Sequence, residues 1–104
     1  MTSLQFTSID KFHSFGITIL ENTAYFALRN VDPSRYKTFL LLLKKGFEYM
    51  KQHDVKFVKQ QINIEDKESF KKSVIIEEND NLIVKTNIDD FLFEICDAVG
   101  IHRL

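Results

Sequence analysis

Between Asp32-Pro33 and Gln52 the chain places Tyr36, Phe39, Leu40, Leu43, Phe47 and Met50 on one face of a predicted α-helix. No other stretch constrains the fold as strongly, because an amphipathic helix of this length must lie against a complementary apolar layer. Asp32 offers acceptors to the free N–H groups of a helix start. Pro33 suits the first helical position, where no N–H is needed. At about 100° per residue, Leu42 and Tyr49 widen the apolar face to roughly half the circumference. Gly46 falls inside that arc, where a missing side chain lets another element come close. Lys37, Lys44, Glu48 and Lys51 form the opposite face, and Leu41 lies among these charges with no predicted partner within the chain.

The required layer is predicted on both sides of this helix. Residues 17–21 and 24–30 read as two strands joined by a turn at Glu21-Asn22-Thr23. Residues 55–64 read as a strand, with Val55 and Phe57 opposed to Lys56. Residues 65–72 are charged apart from Phe70 and fit a short helix or a solvated loop. A second hairpin is predicted over 74–78 and 82–86, around Asn79-Asp80-Asn81. Asn87 is placed to cap a last helix, with Asp89 and Asp90 in its first turn and Gly100 ending it. Phe91, Leu92, Ile95, Cys96 and Val99 form its buried face, and Phe93 points elsewhere. In residues 1–15, Leu4, Phe6, Ile9, Phe12 and Phe15 fit a frayed strand or a short helix, and the 9, 12, 15 spacing leans helical.

The order is hairpin, long helix, strand, short helix or loop, hairpin, helix. This is an α+β class, with a single mostly antiparallel sheet covered by helices. Surface scaling for 104 residues predicts that folding hides about 65% of the chain's surface, so residues 1–104 are expected to form one domain. A faint echo exists at an offset of 57, where Ile19, Glu21, Asn22, Asn30 and Asp32 recur as Ile76, Glu78, Asn79, Asn87 and Asp89. Two hairpin–helix units obeying the same local rules account for it as well as duplication does.

Charge and composition exclude several classes of function. The net charge is −1 and the pI near 6.3, so no global positive field favours nucleic acid. Cys96 is the single cysteine and has no partner for an internal disulfide, which points to a reducing, cytoplasmic setting. The start of the chain has neither a basic segment nor a long apolar run, and no signal peptide is expected. The longest apolar run, 39–43, is far short of the ~20 residues a membrane helix needs.

Chemistry-bearing residues are sparse. His13, His53 and His102 lie too far apart for a local metal-ligand motif. Cys96 shares the apolar face of the last helix, where it acts as a small hydrophobe. Asp89-Asp90 fit a helix start, and Glu77-Glu78-Asn79-Asp80 lacks the calcium-loop pattern. No catalytic residue, metal ligand or cofactor is therefore assigned. Arg35 and Lys37, in the first turn of the long helix, are the best candidates for an anion site. Lys56, Lys59, Lys67, Lys71 and Lys72, interleaved with Phe57 and Phe70, are a candidate nucleic-acid face, although Glu65, Asp66 and Glu68 interrupt it.

From Tyr25 to Thr86 the pattern resembles the C-terminal half of a GNAT-type acetyltransferase. It runs strand, Val31-Asp32-Pro33, long helix, strand ending near Ile62-Asn63, Glu68-Ser69-Phe70 in a short helix, then hairpin. The resemblance implies an acyl-CoA-binding fold. The family's glycine-rich turn, R/Q-x-x-G-x-G/A, is replaced by Ser34-Arg35-Tyr36-Lys37-Thr38-Phe39-Leu40, with no glycine. What it implies is thus a degenerate member without the CoA loop, onto which no catalytic residue carries over. The same element order also resembles profilin-like or roadblock-type ββαβββα domains, which serve as dimerising scaffolds.

The leading expectation is a small intracellular, non-catalytic interaction or assembly module that associates with itself or with a protein partner. Leu41, Leu42, Tyr49 and Phe93 exceed one sheet-facing stripe and are its expected partner surface. A degenerate acyl-CoA binder is the alternative, and a nucleic-acid accessory protein a further one.

Overall fold

The computed structural model describes residues 2–101, and His102 lies outside them. Among the described residues, six strands and two α-helices follow in order: β1 (Thr2–Thr7), β2 (Ser14–Leu20), β3 (Thr23–Asn30), α1 (Tyr36–Gln52), β4 (Phe57–Ile62), β5 (Val74–Glu78), β6 (Asn81–Asn87) and α2 (Ile88–Ala98). The strands form one sheet in the order β1-β2-β3-β4-β6-β5. Every neighbouring pair is antiparallel except β3–β4, which α1 links in parallel. The class is the expected α+β one. The parallel pair separates it from an antiparallel scaffold sheet of the profilin or roadblock kind.

Residues 2–7 take the strand alternative, and residues 9–15 depart from the helical expectation. Residues 2–7 form a regular strand, with Leu4 opposite Ile17 and Phe6 opposite Phe15. Phe6 stacks on Phe15 at 5.2 Å between ring centroids. The 9, 12, 15 spacing is therefore fortuitous. Ile9 and Phe12 sit in the β1–β2 connection, and Ile9 is 95% exposed. Alternation across a partner strand overrode a local period that had no layer to bury it.

Pro33–Arg35 form a 3-10 turn capped by Asp32, whose Oδ1 accepts from the Ser34 N–H at 3.0 Å, and α1 begins at Tyr36. The charged segment after β4 is the short-helix alternative, a 3-10 helix over Ile64–Ser69. Asn79 and Asp80 adopt φ of 51° and 65°, as a two-residue hairpin turn of mirror-image type requires. Asn87 stands at the start of α2 but its side chain makes no capping bond. The Ile88 N–H bonds the Lys56 carbonyl at 2.9 Å instead, tying α2 to the entry of β4. Gly100 ends α2 with φ +81°, as expected.

Both helices contribute to one core. Phe15, Ile17, Ala24, Phe26 and Val58 from the sheet meet Phe39, Leu43, Met50, Phe91 and Ile95 from the helices. Phe91 packs edge-on to Phe26 at 5.1 Å. Tyr25, Phe57, Lys59 and Lys85 alternate with core residues and point to the opposite face. No described helix is long and apolar enough to cross a membrane.

Candidate functional site: the β3–β4 cleft and its surroundings

β3 and β4 pair only through Thr23–Phe57, Ala24–Val58 and Tyr25–Lys59, although β3 continues to Asn30 and β4 to Ile62. Beyond Tyr25 each strand keeps its other neighbour. β3 stays paired with β2 and β4 with β6 along its whole length. The two strands therefore splay, and a cleft of about 350 Å³ opens between them. Phe26, Leu28, Gln60, Ile62, Phe70 and Ile95 line it together with Ala98 and Val99 of α2. Gln60 is 7% exposed, and its Nε2 is buried without a hydrogen-bond partner. Asp66 is the one ionisable residue in the lining. This cleft can hold an apolar chain carrying a polar group. It offers no nucleophile and no acid–base pair. Among the described residues, no cluster of three or more His, Cys, Asp or Glu could hold a metal.

The start of α1, where Arg35 and Lys37 stand, is occupied by the chain's own groups. Asp32 accepts from the Ser34 N–H, and the Arg35 N–H bonds the Asp32 carbonyl at 3.0 Å. The hydrogen bonds from Ser34 hold the Asp32 carboxyl below the usual carboxylate range. Arg35 turns to Asp32 at 3.7 Å and lies 3.9 Å above the Phe12 ring. A carboxylate thus sits where an incoming anion would be drawn.

Beside it lies a buried polar chain that sequence reasoning missed. His13 has no exposed surface. Its Nδ1 accepts from the Asp32 N–H at 3.2 Å, which assigns the proton to Nε2. Nε2 lies 3.0 Å from the Arg35 carbonyl and 2.9 Å from Thr38 Oγ1. Thr38 donates onward to Asp10 Oδ2 at 2.5 Å, while Asp10 Oδ1 accepts from Ser8 Oγ and the Phe12 N–H. The acid–hydroxyl–imidazole composition suggests a relay, but no substrate can reach a fully buried imidazole. The chain fastens the β1–β2 connection to the start of α1. The isolated His13 carried no signal in the sequence, because its partners are mostly backbone groups far along the chain.

The expected partner surface divides. Leu41 and Phe93 are 64% and 68% exposed. Leu42 is buried, and Tyr49 is half-buried with its ring edge-on to Phe6 at 5.6 Å. These two are corrected to packing residues. β1, which the sequence reading left as a frayed strand or a short helix, supplies Phe6 beneath Tyr49. Leu41 instead borders an apolar groove of about 290 Å³ shared with Ile9, Thr7 and Lys45.

The basic set does not form one surface. Phe70 is buried and cannot stack on a base. Lys72 lies 3.8 Å from Asp90. Lys59 points to the outer sheet face, directly opposite Lys85. Lys56 precedes β4, whereas Lys67 and Lys71 lie in the 3-10 helix and the loop after it. Cys96 is buried, and burial pushes its thiol up to about 11. His53 ends α1, its Nδ1 donating to the Tyr49 carbonyl at 2.9 Å.

No protein-family model and no curated protein sequence matches the chain. Among solved structures, the chain is similar to the PaiA N-acetyltransferase of Thermoplasma acidophilum, crystallised in complex with coenzyme A. The TM-score is 0.60 at 12% sequence identity, over 84% of this chain and 62% of that one. The chain therefore spans less than two thirds of that enzyme's length. At this identity the likeness establishes a shared architecture alone, a GNAT-like α+β fold.

Proposed function

We propose that the protein is a non-catalytic assembly module that associates with copies of itself. The observation that carries this reading is apolar surface left over after the core is complete: Ile9 is 95% exposed, Phe93 68%, Leu41 64% and Val74 62%. Of these, Ile9 and Leu41 border one apolar groove, and contiguous exposed apolar surface marks partner contacts. The cleft's lack of a nucleophile or acid–base pair supports a role without bond-making. Sedimentation equilibrium of the whole chain from ~1 μM to ~1 mM tests the reading over the range of weak to moderate self-affinity. A mass that rises with concentration supports it, and a monomer throughout overturns it.

A second reading is favoured by the β3–β4 cleft, namely binding of an acyl-CoA-type ligand by a degenerate GNAT-like protein. The cleft's mixed lining, apolar side chains beside Gln61, Asn63 and the free Gln60 amide, suits the extended arm of such a ligand, which alternates methylenes and amides. The residues at the start of α1 do not fit its pyrophosphate. Residues 34–40 contain no glycine, and the N–H groups of Ser34 and Arg35 are already bonded to Asp32. Thermal unfolding with millimolar acetyl-CoA decides the point. Saturation a hundredfold above Kd adds about 2.7 kcal/mol, a shift of several degrees for a chain of this size. No shift removes this reading.

A further inference from the structure

We infer that the uncovered face of the sheet is a docking surface for single-stranded nucleic acid, with Lys59 and Lys85 holding phosphates and Tyr25 stacking a base. This goes beyond self-association, and the apolar groove at Ile9 and Leu41 lies apart from it, against α1.

α1 and α2 bury the same face of the sheet, and among the described residues no helix covers the other. One row of outward residues crosses four strands. Tyr25 of β3 pairs with Lys59 of β4, Lys59 with Lys85 of β6, and Lys85 with Val74 of β5. Phe57 lies two residues before Lys59 and shares its face. The Tyr25 ring is open to a ligand, the residue being 44% exposed.

Charge selects the occupant. Among the outward positions of the described strands, Arg29, Lys59 and Lys85 are basic and Glu78 alone is acidic. Glu78 stands at the far end of the edge strand, opposite Asn81. A chain of net charge −1 thus carries a local cationic face. Lys59 and Lys85 lie directly across from one another, which between like charges costs stability. Among the described residues neither ammonium forms an ion pair with a carboxylate. Instead Lys59 Nζ lies 5.9 Å from the centre of the Tyr25 ring, and Lys85 Nζ 4.2 Å from that of Phe57. The rings attract the cations but cancel no charge, so the pair is left to draw an anion from outside.

A second copy does not answer that charge, because a two-fold contact through this face sets lysine against lysine. A bilayer answers the charge but needs an apolar wedge. The exposed apolar residues of this face lie at its margins, Leu20 at the end of β2 and Val74 and Ile76 on the edge strand. A single strand of nucleic acid brings phosphates to the lysines and unpaired bases to the Tyr25 ring. A duplex keeps its bases stacked and away from that ring. Arg29, four residues along β3 from Tyr25, extends the cationic track by roughly 13 Å.

Fluorescence anisotropy of oligothymidylate and oligouridylate of about 12 nucleotides, titrated with the full chain at low salt, tests the surface. Both strands are expected to bind, with a log–log salt slope of about −1.4 to −2.1 as two or three phosphates are neutralised. Lys59→Gln and Lys85→Gln are each expected to weaken binding and to make the slope shallower by about 0.7. Lys44→Gln, an equal loss of charge on α1, is expected to change neither. Tyr25→Ala is expected to weaken binding about tenfold with the slope unchanged, and Tyr25→Phe to bind as the parent does. Should Tyr25→Ala be unfolded by circular dichroism, Tyr25→Leu, which keeps the bulk without the ring, takes its place. No binding at ~1 mM protein overturns the inference. So does a ring-less variant that binds normally, an equal loss from Lys44→Gln, tighter binding of the matching duplex, or co-sedimentation with phosphatidylserine vesicles in place of strand binding.

Discussion

The Thr38 hydroxyl donates a 2.5 Å hydrogen bond to Asp10, joining the first turns of α1 to the connection between β1 and β2. Together with the Ser8 hydroxyl, it holds the Asp10 carboxyl down to about 2. An unfolded aspartate titrates near 3.9 (approximately). A depressed carboxyl stabilises the fold fully above its unfolded pKa, and that contribution is lost as the pH falls through the folded value. Stability is therefore expected to drop between about pH 4 and pH 2. Asp10→Asn should flatten this limb in urea titrations across that window. Thr38→Val should move the Asp10 titration upward by carboxyl NMR, and Thr38→Ser should leave it low.

His13 links three segments from complete burial. His13→Ala strips the Asp32 N–H and the Arg35 carbonyl of a partner and leaves a cavity. A loss of about 2–4 kcal/mol in denaturant unfolding is expected. Heteronuclear NMR of the parent should find the imidazole proton on Nε2. A proton on Nδ1 would contradict the Asp32 contact.

Gly46 meets the sheet at the closest approach of α1. A Cβ there would fall 2.8 Å from Phe15 Cε1 and 3.2 Å from Ile17 Cδ1. Alanine in a helix interior ordinarily gains about 0.5–1 kcal/mol over glycine, but overpacking costs about 1–3. Phe15 has no exposed surface and little room to give. Gly46→Ala is expected to lower Tm, reversing the usual helical gain.

Cys96 should behave as an inert core residue. Its thiol stands near 11 and is buried. At pH 8 a thiol-specific reagent should modify it only as the chain opens, so that labelling in native buffer tracks unfolding. Fast stoichiometric labelling of folded protein would show an accessible thiolate.

Where neighbours along the chain decide a conformation, the residues announced it. Asp32-Pro33 marks the entry to the long helix, Asn79-Asp80 the tight turn, and Gly100 the helix end, each through backbone geometry reaching only a few residues. The echo at offset 57 belongs to the same level. It aligns the two hairpins, with Asn30 and Asn87 each ending a strand before a helical segment, as the same local rules at both places require.

Long-range pairing settled the rest. Leu42 and Tyr49 look surplus until β1 is laid beside β2 beneath them, and Ile9 looks helical until that pairing leaves it in solvent. His13 becomes a fastening only when residues 32, 35 and 38 are brought to it. The cleft exists because β3 and β4 each keep a different outer neighbour past Tyr25, a competition between strands distant in sequence. Side-chain periodicity states which face of an element must be hidden. It carries no information on which other element hides it, and that choice built the candidate sites.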